Sequence, residues 1–273
     1  MAQPLIFING AASDCLTSLD RGLSYGHGVF ETMRRYDGQI PLLALHFERL
    51  TMGLERLGIH ASTDTIVDRL DSGLMQMPAN GVVKLTVTAG VGPRGYRSPP
   101  VASPTVIVHW NPVPDVPAIC TLQQCRYRLP ANPVLAGIKH LNRLDQVVAA
   151  MELEGELQGL LLDQNGNVVE ALSHNIFLRF KNDWLTPRLE HCGVAGVMRR
   201  YLLDSLYPAT GFSVTEALIP AARLAEADEI FICNAVSGVT PVAAIAGLQT
   251  WSEHPQTVVL QHRLEENLPC FVA

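Results

Sequence analysis

The segment "NPVPDVP", Asn111 to Pro117, constrains the fold of this chain more than any other feature. Three prolines in seven residues remove backbone donors and fix φ, so the segment cannot continue a helix or a central strand. A chain of 273 residues is long enough for two modest domains, one on each side of this segment. We therefore predict an N-terminal domain over residues 1–112, a linker over residues 113–120 and a larger C-terminal domain over residues 121–273.

Hydrophobic periodicity predicts both strands and helices in each half. Short runs of β-branched and aromatic residues, bounded by Asn-Gly or Asp-Gly turns, predict strands. Apolar residues at helical spacing from Leu43 to Leu57 predict a helix that ends at Gly58. A second-half helix is predicted from about Asn142 to Leu157, and another starts near Val194. Strands outnumber helices without a regular βαβ alternation, which predicts an α+β fold.

Composition narrows the class of partner. The net charge is −6 and no basic tract stands out, which argues against nucleic acid. The six cysteines show no zinc-ligand spacing, so we predict no metal site and reduced thiols in a cytoplasmic protein. We see no signal peptide and no apolar run long enough for a membrane helix. The expected partner is a small molecule.

Lysine is rare in this chain: of 20 basic residues, only Lys84, Lys139 and Lys181 are lysines. Lys84 lies in a predicted strand with its face outward, and Lys181 lies in a polar turn. Lys139 has apolar neighbours, Ile138 and Leu141, and precedes a predicted helix. A desolvated lysine has a lowered pKa and can attack a carbonyl to form a Schiff base. A surface lysine is the alternative interpretation.

A Schiff-base lysine that binds pyridoxal phosphate requires an acid facing the pyridine nitrogen and a phosphate site of backbone amides with a basic side chain. Glu170 ends a short apolar strand and suits the first role. The stretch "CGVAGVMRR", with Gly193 and Gly196 before a predicted helix, suits the second, together with Arg49. The alternatives are a solvated carboxylate for Glu170 and a helix-surface salt bridge for Arg49.

Five motifs occur in the order and approximate spacing of the class IV (fold type IV) pyridoxal-phosphate enzymes, and the sequence resembles this family over nearly its whole length. The motifs are "DRGLSYGHGVFET", "HFERL", "GIKHLNRLDQV", "VVEALSHNIF" and "ICNAVSGVTPV". The family includes branched-chain aminotransferases, D-amino-acid aminotransferases and aminodeoxychorismate lyases. The resemblance implies an α+β, two-domain architecture like that of D-amino-acid aminotransferases, a pyridoxal 5'-phosphate cofactor and a homodimer.

The resemblance also implies a role for each matching residue. Lys139 would be the catalytic Schiff-base lysine, and Glu170 would face the pyridine nitrogen. The implied phosphate-site residues are Arg49, Gly196, Val197, Met198, Asn234 and Ala235. The implied substrate-binding residues are Arg94, Tyr25 and His27. Some family members have threonine where this chain has Ala235, so a side-chain contact would be missing there.

Several neighbouring residues keep two interpretations. Asp20 and Arg21 are either substrate ligands or a structural ion pair that fixes their turn. We expect Asn142 to cap the following helix, whereas His140 and Arg143 either shape the substrate pocket or simply start that helix.

The motif "KHLNRLDQV" resembles the lyase subgroup, because branched-chain aminotransferases carry a glycine-rich stretch after the lysine. The predicted activity is therefore that of a 4-amino-4-deoxychorismate lyase, which forms 4-aminobenzoate and pyruvate for folate biosynthesis. The closest alternative is a D-amino-acid or branched-chain-type aminotransferase on the same scaffold. A noncatalytic binding protein that retains the fold is the second alternative.

Overall fold

The computed structural model describes residues 5–98 and 103–271, which separate into two compact units. Unit 1 comprises Met1–Pro114 and Ile138–Asn142, and unit 2 comprises Asp115–Gly137 and Arg143–Ala273. Residues 138–142, which we assigned to the C-terminal domain, thus group with unit 1; the domain boundaries themselves remain a prediction. Within the described residues, no helix has both the length and the apolar character needed to cross a membrane.

Unit 1 is built on a five-stranded antiparallel sheet with the order β2-β1-β5-β4-β3. Its strands are β1 (Leu5–Ile8), β2 (Ala11–Ala12), β3 (Gly28–Arg35), β4 (Gly81–Thr88) and β5 (Thr105–Asn111). Its helices are α1 (Arg21–Tyr25), α2 (Leu43–Arg56) and α3 (Thr63–Leu74). The predicted first helix is confirmed, because α2 spans the periodic segment and Gly58 follows it with φ of +63°.

The core of unit 1 lies where α2 and α3 cover one face of the sheet. Alternate residues of β3 and β4, such as Met33, Val83 and Leu85, are fully buried there, as the period of two along a strand requires. Gly53 allows α2 to approach β3 closely, because a Cβ at this position would lie 2.9 Å from Val29 Cγ1. The opposite face carries half-buried side chains, and the edge strand β3 leaves its outer backbone groups available for another segment.

Unit 2 contains a nine-stranded mixed sheet in the order β11-β10-β9-β12-β13-β6-β7-β8, with β14 paired to β13. Its strands are β6 (Cys120–Leu129), β7 (Gln158–Asp163), β8 (Val168–Ala171), β9 (Asn175–Phe180), β10 (Asp183–Pro187), β11 (Ser213–Ala217), β12 (Glu229–Asn234), β13 (Gly238–Ile245) and β14 (Gln249–Thr250). Its helices are α4 (Leu144–Ala150), α5 (Val197–Tyr201), α6 (Tyr207–Thr210) and α7 (Pro255–Asn267). Fully buried aliphatic residues of β6, β7, β9 and β12 form its main core.

The helix predicted from Asn142 to Leu157 is much shorter in the structure, since α4 covers only Leu144–Ala150. It ends early because the side chain of Glu152 turns to β6. Its two carboxylate oxygens accept hydrogen bonds from the backbone N–H groups of Arg126, at 2.6 Å, and Tyr127, at 2.9 Å. These amides lie where the pairing of β6 with β7 shifts register. Glu152 therefore accepts hydrogen bonds from backbone N–H groups that the strand pairing does not use.

The prediction that Asn142 caps this helix is wrong. Arg143 occupies the N-cap position of α4 and makes no capping hydrogen bond with its side chain. The Asn142 side-chain amide instead donates to the backbone carbonyl of Gly26, at 3.1 Å, within unit 1. A Cβ at Gly26 would collide with that amide, so a glycine is required at this contact.

Candidate active site

The predicted catalytic lysine lies on a short segment that pairs with the edge strand β3. The backbone N–H of Phe30 donates to the carbonyl of Lys139 at 2.9 Å, and the N–H of Leu141 donates to the carbonyl of Gly28 at 3.0 Å. These main-chain bonds, and not a helix, fix the position of the lysine. Ile138, which precedes it, is fully buried in unit 1.

The Lys139 side chain is half-buried, and its ammonium lies 4.7 Å from the centre of the Phe30 ring. The Lys84 ammonium lies 4.8 Å from the same ring. Lys84 is also half-buried, contrary to the exposed position expected from its strand. Two of the three lysines therefore approach one aromatic ring, an arrangement that cation–π attraction favours and that concentrates positive charge at this edge of unit 1.

Arg49, the predicted phosphate ligand, extends from α2 and is only 8% exposed. Its Nε donates to Glu31 Oε1 at 2.8 Å, and a second guanidinium nitrogen donates to Glu31 Oε2, which makes a bidentate pair. His46 Nδ1 lies 2.6 Å from the same Oε2. Arg49 is thus a buried group held by a carboxylate, and not the surface salt bridge of the alternative interpretation.

Burial alone would raise the pKa of Glu31, but the charge of Arg49 and hydrogen bonds from His46 and Arg49 outweigh it and lower that pKa to about 2. Burial lowers the pKa of His46, against the opposing effect of Glu31. His46 is therefore neutral near pH 7 and donates from Nδ1 to an ionised Glu31. Sequence reasoning missed both residues. The available signal was an acidic residue in phase with Val29 and Met33 on the buried side of β3.

Glu170, predicted to face the pyridine nitrogen, lies in β8 and is buried. Its Oε2 accepts a hydrogen bond from the backbone N–H of Val194 at 2.8 Å. The neighbouring Gly193 has φ of +83°, and a Cβ there would approach the Val169 side chain to 2.8 Å. The glycine therefore lets the turn before α5 pass directly over this buried carboxylate.

Gly196 is the N-cap residue of α5, which begins at Val197, three residues after the predicted start. A Cβ at Gly196 would lie 1.9 Å from the side-chain oxygen of Asn175. Asn175 donates in turn to the carbonyl of Val194 at 2.8 Å and fixes the turn. Val197 and Met198 are buried at the start of α5. The backbone N–H groups of a first helical turn have no partner within the helix, so these two could donate to an anion.

Asn234 ends β12, and its side-chain oxygen accepts hydrogen bonds from the backbone N–H groups of Val236, at 2.8 Å, and Ser237, at 2.7 Å. The Asn234 side chain therefore builds the turn into β13. Ala235 is half-buried in that turn.

The predicted substrate residues belong to unit 1. Arg94 is exposed in the loop that follows β4. The hydroxyl of Tyr25 accepts a hydrogen bond from the backbone N–H of Gly95 at 2.9 Å. His27 accepts from Arg21 Nε through Nδ1, at 3.3 Å, so its Nε2 carries the proton and donates to the carbonyl of Leu57 at 2.9 Å.

Asp20 and Arg21 do not form the structural ion pair that we considered. The Asp20 carboxylate is fully buried and accepts hydrogen bonds from the Thr88 and Thr105 hydroxyls and from the Gly22 N–H, at 2.7 to 3.0 Å. Arg21 turns away to backbone carbonyls of the loop that carries Arg94.

The structure places the predicted site residues in two groups. Those of unit 1 are Lys139, Arg49, Arg94, Tyr25 and His27. Those of unit 2 are Glu170, Gly196, Val197, Met198, Asn234 and Ala235.

The chain is similar to proteins of known function over nearly all of its length. The family model for amino-transferase class IV matches residues 28–245. The aminodeoxychorismate lyase of Vibrio harveyi is 32% identical over 272 residues, which cover 97% of this chain and 99% of that protein. A putative branched-chain-amino-acid aminotransferase of Methanocaldococcus jannaschii is 30% identical over 255 residues, which cover 89% of this chain and 88% of that protein.

A solved structure shows the same fold. The 4-amino-4-deoxychorismate lyase of Pseudomonas aeruginosa superimposes with a TM-score of 0.92 at 38% identity and covers 97% of this chain and 99% of that chain. The predicted α+β, fold type IV class is confirmed by these matches. The chain belongs to the class IV aminotransferase family.

Proposed function

We propose that this protein is a pyridoxal-phosphate-dependent 4-amino-4-deoxychorismate lyase that forms 4-aminobenzoate and pyruvate. The observation that carries the proposal is the 38% identity and 0.92 TM-score to a lyase of this name over nearly the whole chain. A second lyase, from Bacillus subtilis, is 29% identical and covers 88% of this chain and 86% of that protein. Folate biosynthesis is the pathway that would use the aromatic product.

The residues present fit the proposed cofactor. Lys139 supplies a half-buried amine for a Schiff base, and Glu170 supplies a buried carboxylate for the pyridine nitrogen. Arg49, whose charge Glu31 already offsets, is the proposed side-chain ligand of the phosphate, with backbone N–H groups at the start of α5. The close approach at Gly196, where no Cβ fits, favours a tight anion-binding turn. We propose the backbone of Asn234 and Ala235 as a further phosphate contact.

When bound, pyridoxal phosphate supplies an electron sink that acidifies the proton on the substrate carbon bearing the amine. Lys139 Nζ is the proposed general base that removes this proton. The bond between the ring carbon and the enolpyruvyl oxygen then breaks, and the departing enolpyruvate takes up one proton at its methylene carbon to become pyruvate, which balances the proton that Lys139 removed. The ring is left aromatic as 4-aminobenzoate, and aromatisation drives the step. The substrate is a dianion, and Arg94 is the proposed partner of one carboxylate, while Tyr25 and His27 shape the same region.

The first test is a Lys139→Ala variant, with Lys181→Ala in an exposed turn as the matched control. We expect Lys139→Ala to lose turnover by at least about 100-fold, because positioned acid–base groups contribute that much or more. Borohydride reduction of the wild-type holoenzyme, followed by peptide mass spectrometry, should place the cofactor on the peptide that contains Lys139. Labelling at Lys84 instead would refute the assignment.

A second candidate activity is transamination, which the similarity to aminotransferases favours. The D-alanine aminotransferase of Bacillus licheniformis is 28% identical over 258 residues. A paired assay separates the two activities: pyruvate and 4-aminobenzoate from aminodeoxychorismate, against keto-acid formation from D-alanine or a branched-chain amino acid. A purified protein that stays colourless with added pyridoxal phosphate would instead support a noncatalytic binding role.

We also propose that the protein is a cytoplasmic homodimer. The support for the dimer is a set of exposed apolar side chains on and next to α4, since surface patches of this kind mark interfaces. They are Leu144, Val147, Val148 and Met151. A monomeric mass in light scattering of the holoenzyme would contradict this.

A further inference from the structure

A buried arginine at the start of α1 holds the loop that carries Arg94. Arg21 is only 2% exposed, and its guanidinium donates to the carbonyls of Gly95, at 2.9 Å, Tyr96, at 3.0 Å, and Pro93, at 3.4 Å. Only a guanidinium offers enough donors in one plane for three carbonyls at once. One side chain therefore fixes the backbone on both sides of Arg94.

Tyr25, at the end of α1, also contacts the loop that carries Arg94. Its hydroxyl accepts from the Gly95 N–H, its ring makes an edge contact with the Tyr96 ring at 5.8 Å, and the Arg21 guanidinium lies 4.8 Å from its ring centre. Gly95 has φ of +102° and no neighbour near its missing Cβ, so the glycine serves backbone conformation alone.

Hydrogen bonds and close packing attach α1, which carries the Arg21 and Tyr25 clamp on residues 93–96, to the sheet of unit 1. Asp20 caps α1 and anchors it to β4 and β5 through Thr88 and Thr105. The Arg21 N–H donates to the carbonyl of Gly90 at 2.8 Å, which ties the start of the loop to α1. A Cβ at Gly22 would lie 2.4 Å from Thr88 Cγ2, so α1 sits as close to the sheet as a backbone allows.

The orientation of the loop follows from these bonds. The carbonyls around Arg94 point inward to Arg21, whereas Arg94 is exposed and the Tyr96 side chain is 91% exposed. Among the described residues, no carboxylate forms an ion pair with Arg21, although the buried Asp20 carboxylate belongs to the preceding residue. The fixed backbone is therefore what favours a defined position for the Arg94 guanidinium at the tip of this loop.

We propose that Arg21 is a positioning residue: with Tyr25, it fixes residues 93–96 so that Arg94 is presented in a single geometry to a carboxylate of the substrate. The inference rests on the proposed function, because it requires Arg94 to bind substrate. A loop that is already ordered lowers the entropic cost of substrate binding. Loss of the Arg21 contacts should therefore weaken substrate binding more than it slows the chemical step.

The test uses the holoenzyme with Arg21→Lys, which keeps the charge but not the fork, and with Tyr25→Phe, which removes one acceptor. Arg126→Lys on the surface of unit 2 is the matched control. We expect faster backbone amide hydrogen exchange at residues 93–97, a KM for aminodeoxychorismate raised about tenfold in Arg21→Lys, and a smaller change in kcat. Cofactor affinity, measured by fluorescence titration, should equal that of the wild type.

A double variant with Arg94→Ala decides whether the two arginines act together. We expect Arg94→Ala to raise the KM, and we expect Arg21→Lys to raise it little further in the Arg94→Ala background. Arg21 is proposed to affect substrate binding only through Arg94, so the two effects should not add. Unchanged exchange in Arg21→Lys, an unchanged KM, or additive effects in the double variant would each overturn the proposal. Absence of lyase turnover in the wild type, in the same assay, would instead refute the proposed function, and the exchange rates would still report on the clamp.

Discussion

Two buried arginines of unit 1 are stabilised in opposite ways. Arg49 is held by the carboxylate of Glu31, with His46 on the same oxygen. Arg21 is held by backbone carbonyls and by His27, with no carboxylate partner in the described chain. The first arrangement neutralises a charge inside the unit, whereas the second uses a charge to fix a surface loop.

The Arg49 contacts depend on a buried charge pair, whereas the Arg21 contacts depend on the geometry of its donors and of the loop carbonyls. Glu31 and Arg49 are both out of water, so neither can lose its partner without leaving a buried ion. The carbonyls of the 93–96 loop lie near the surface and can be hydrated when Arg21 is removed. We therefore expect disruption of the Glu31 region to affect stability, and disruption of the Arg21 region to affect mainly the loop.

The largest effect should follow Glu31→Ala. This change leaves the Arg49 guanidinium buried without its carboxylate, for which about 3–5 kcal/mol of destabilisation is typical. Thermal and denaturant unfolding would measure it, with Glu55→Ala on the exposed face of α2 as control. An effect equal to that of the control would show that the pair is dispensable. If Glu31→Ala fails to fold, Glu31→Gln gives a milder version of the same test.

The two regions should respond differently to low pH, because only the Arg49 guanidinium is paired with a carboxylate. The folded pKa of Glu31, about 2, lies below its ordinary value of 4.5. Its contribution to stability is therefore complete above pH 4.5 and is lost as the pH falls toward 2. The difference in Tm between the wild type and Glu31→Gln should shrink from pH 6 to pH 3. A constant difference would mean that the carboxylate charge is not what stabilises the pair.

Arg21→Met should destabilise the protein less than Glu31→Ala, by about 1.5–3 kcal/mol, which is the usual range for hydrogen bonds to a charged group. The lost bonds lead to carbonyls that water can reach, so most of the effect should be local. Hydrogen exchange should quicken at residues 93–97 and stay unchanged in α2. Equal acceleration in both regions would show that Arg21 supports the whole unit.

The smallest effect should come from Tyr25→Phe. It removes only the acceptor for the Gly95 N–H, for which about 0.5–1.5 kcal/mol is typical. The exposed control Tyr36→Phe should have no effect on the loop. If Tyr25→Phe destabilises the protein as much as Arg21→Met does, Tyr25 and not Arg21 is the main residue that holds residues 93–96.

Local pattern predicted much of the fold. The helix α2 lies where helical spacing placed it, and the described strands outnumber the helices in both units, as the runs of β-branched and aromatic residues indicated. Local pattern failed at α4, because its length was decided by Glu152, whose partners on β6 are distant in sequence. Apolar periodicity carries no information about such a contact.

The amino-acid sequence was enough to predict the family and the candidate lysine, because rare residue types in ordered motifs are a property of the chain alone. The partners of the nearby charged residues became visible only in the folded structure. Glu31, His46 and Arg49 meet because α2 packs on β3, and Arg21 reaches residues 93–96 because Asp20 fixes α1 to the sheet. Long side chains find their partners in space, and their spacing along the chain does not record which partner each one takes.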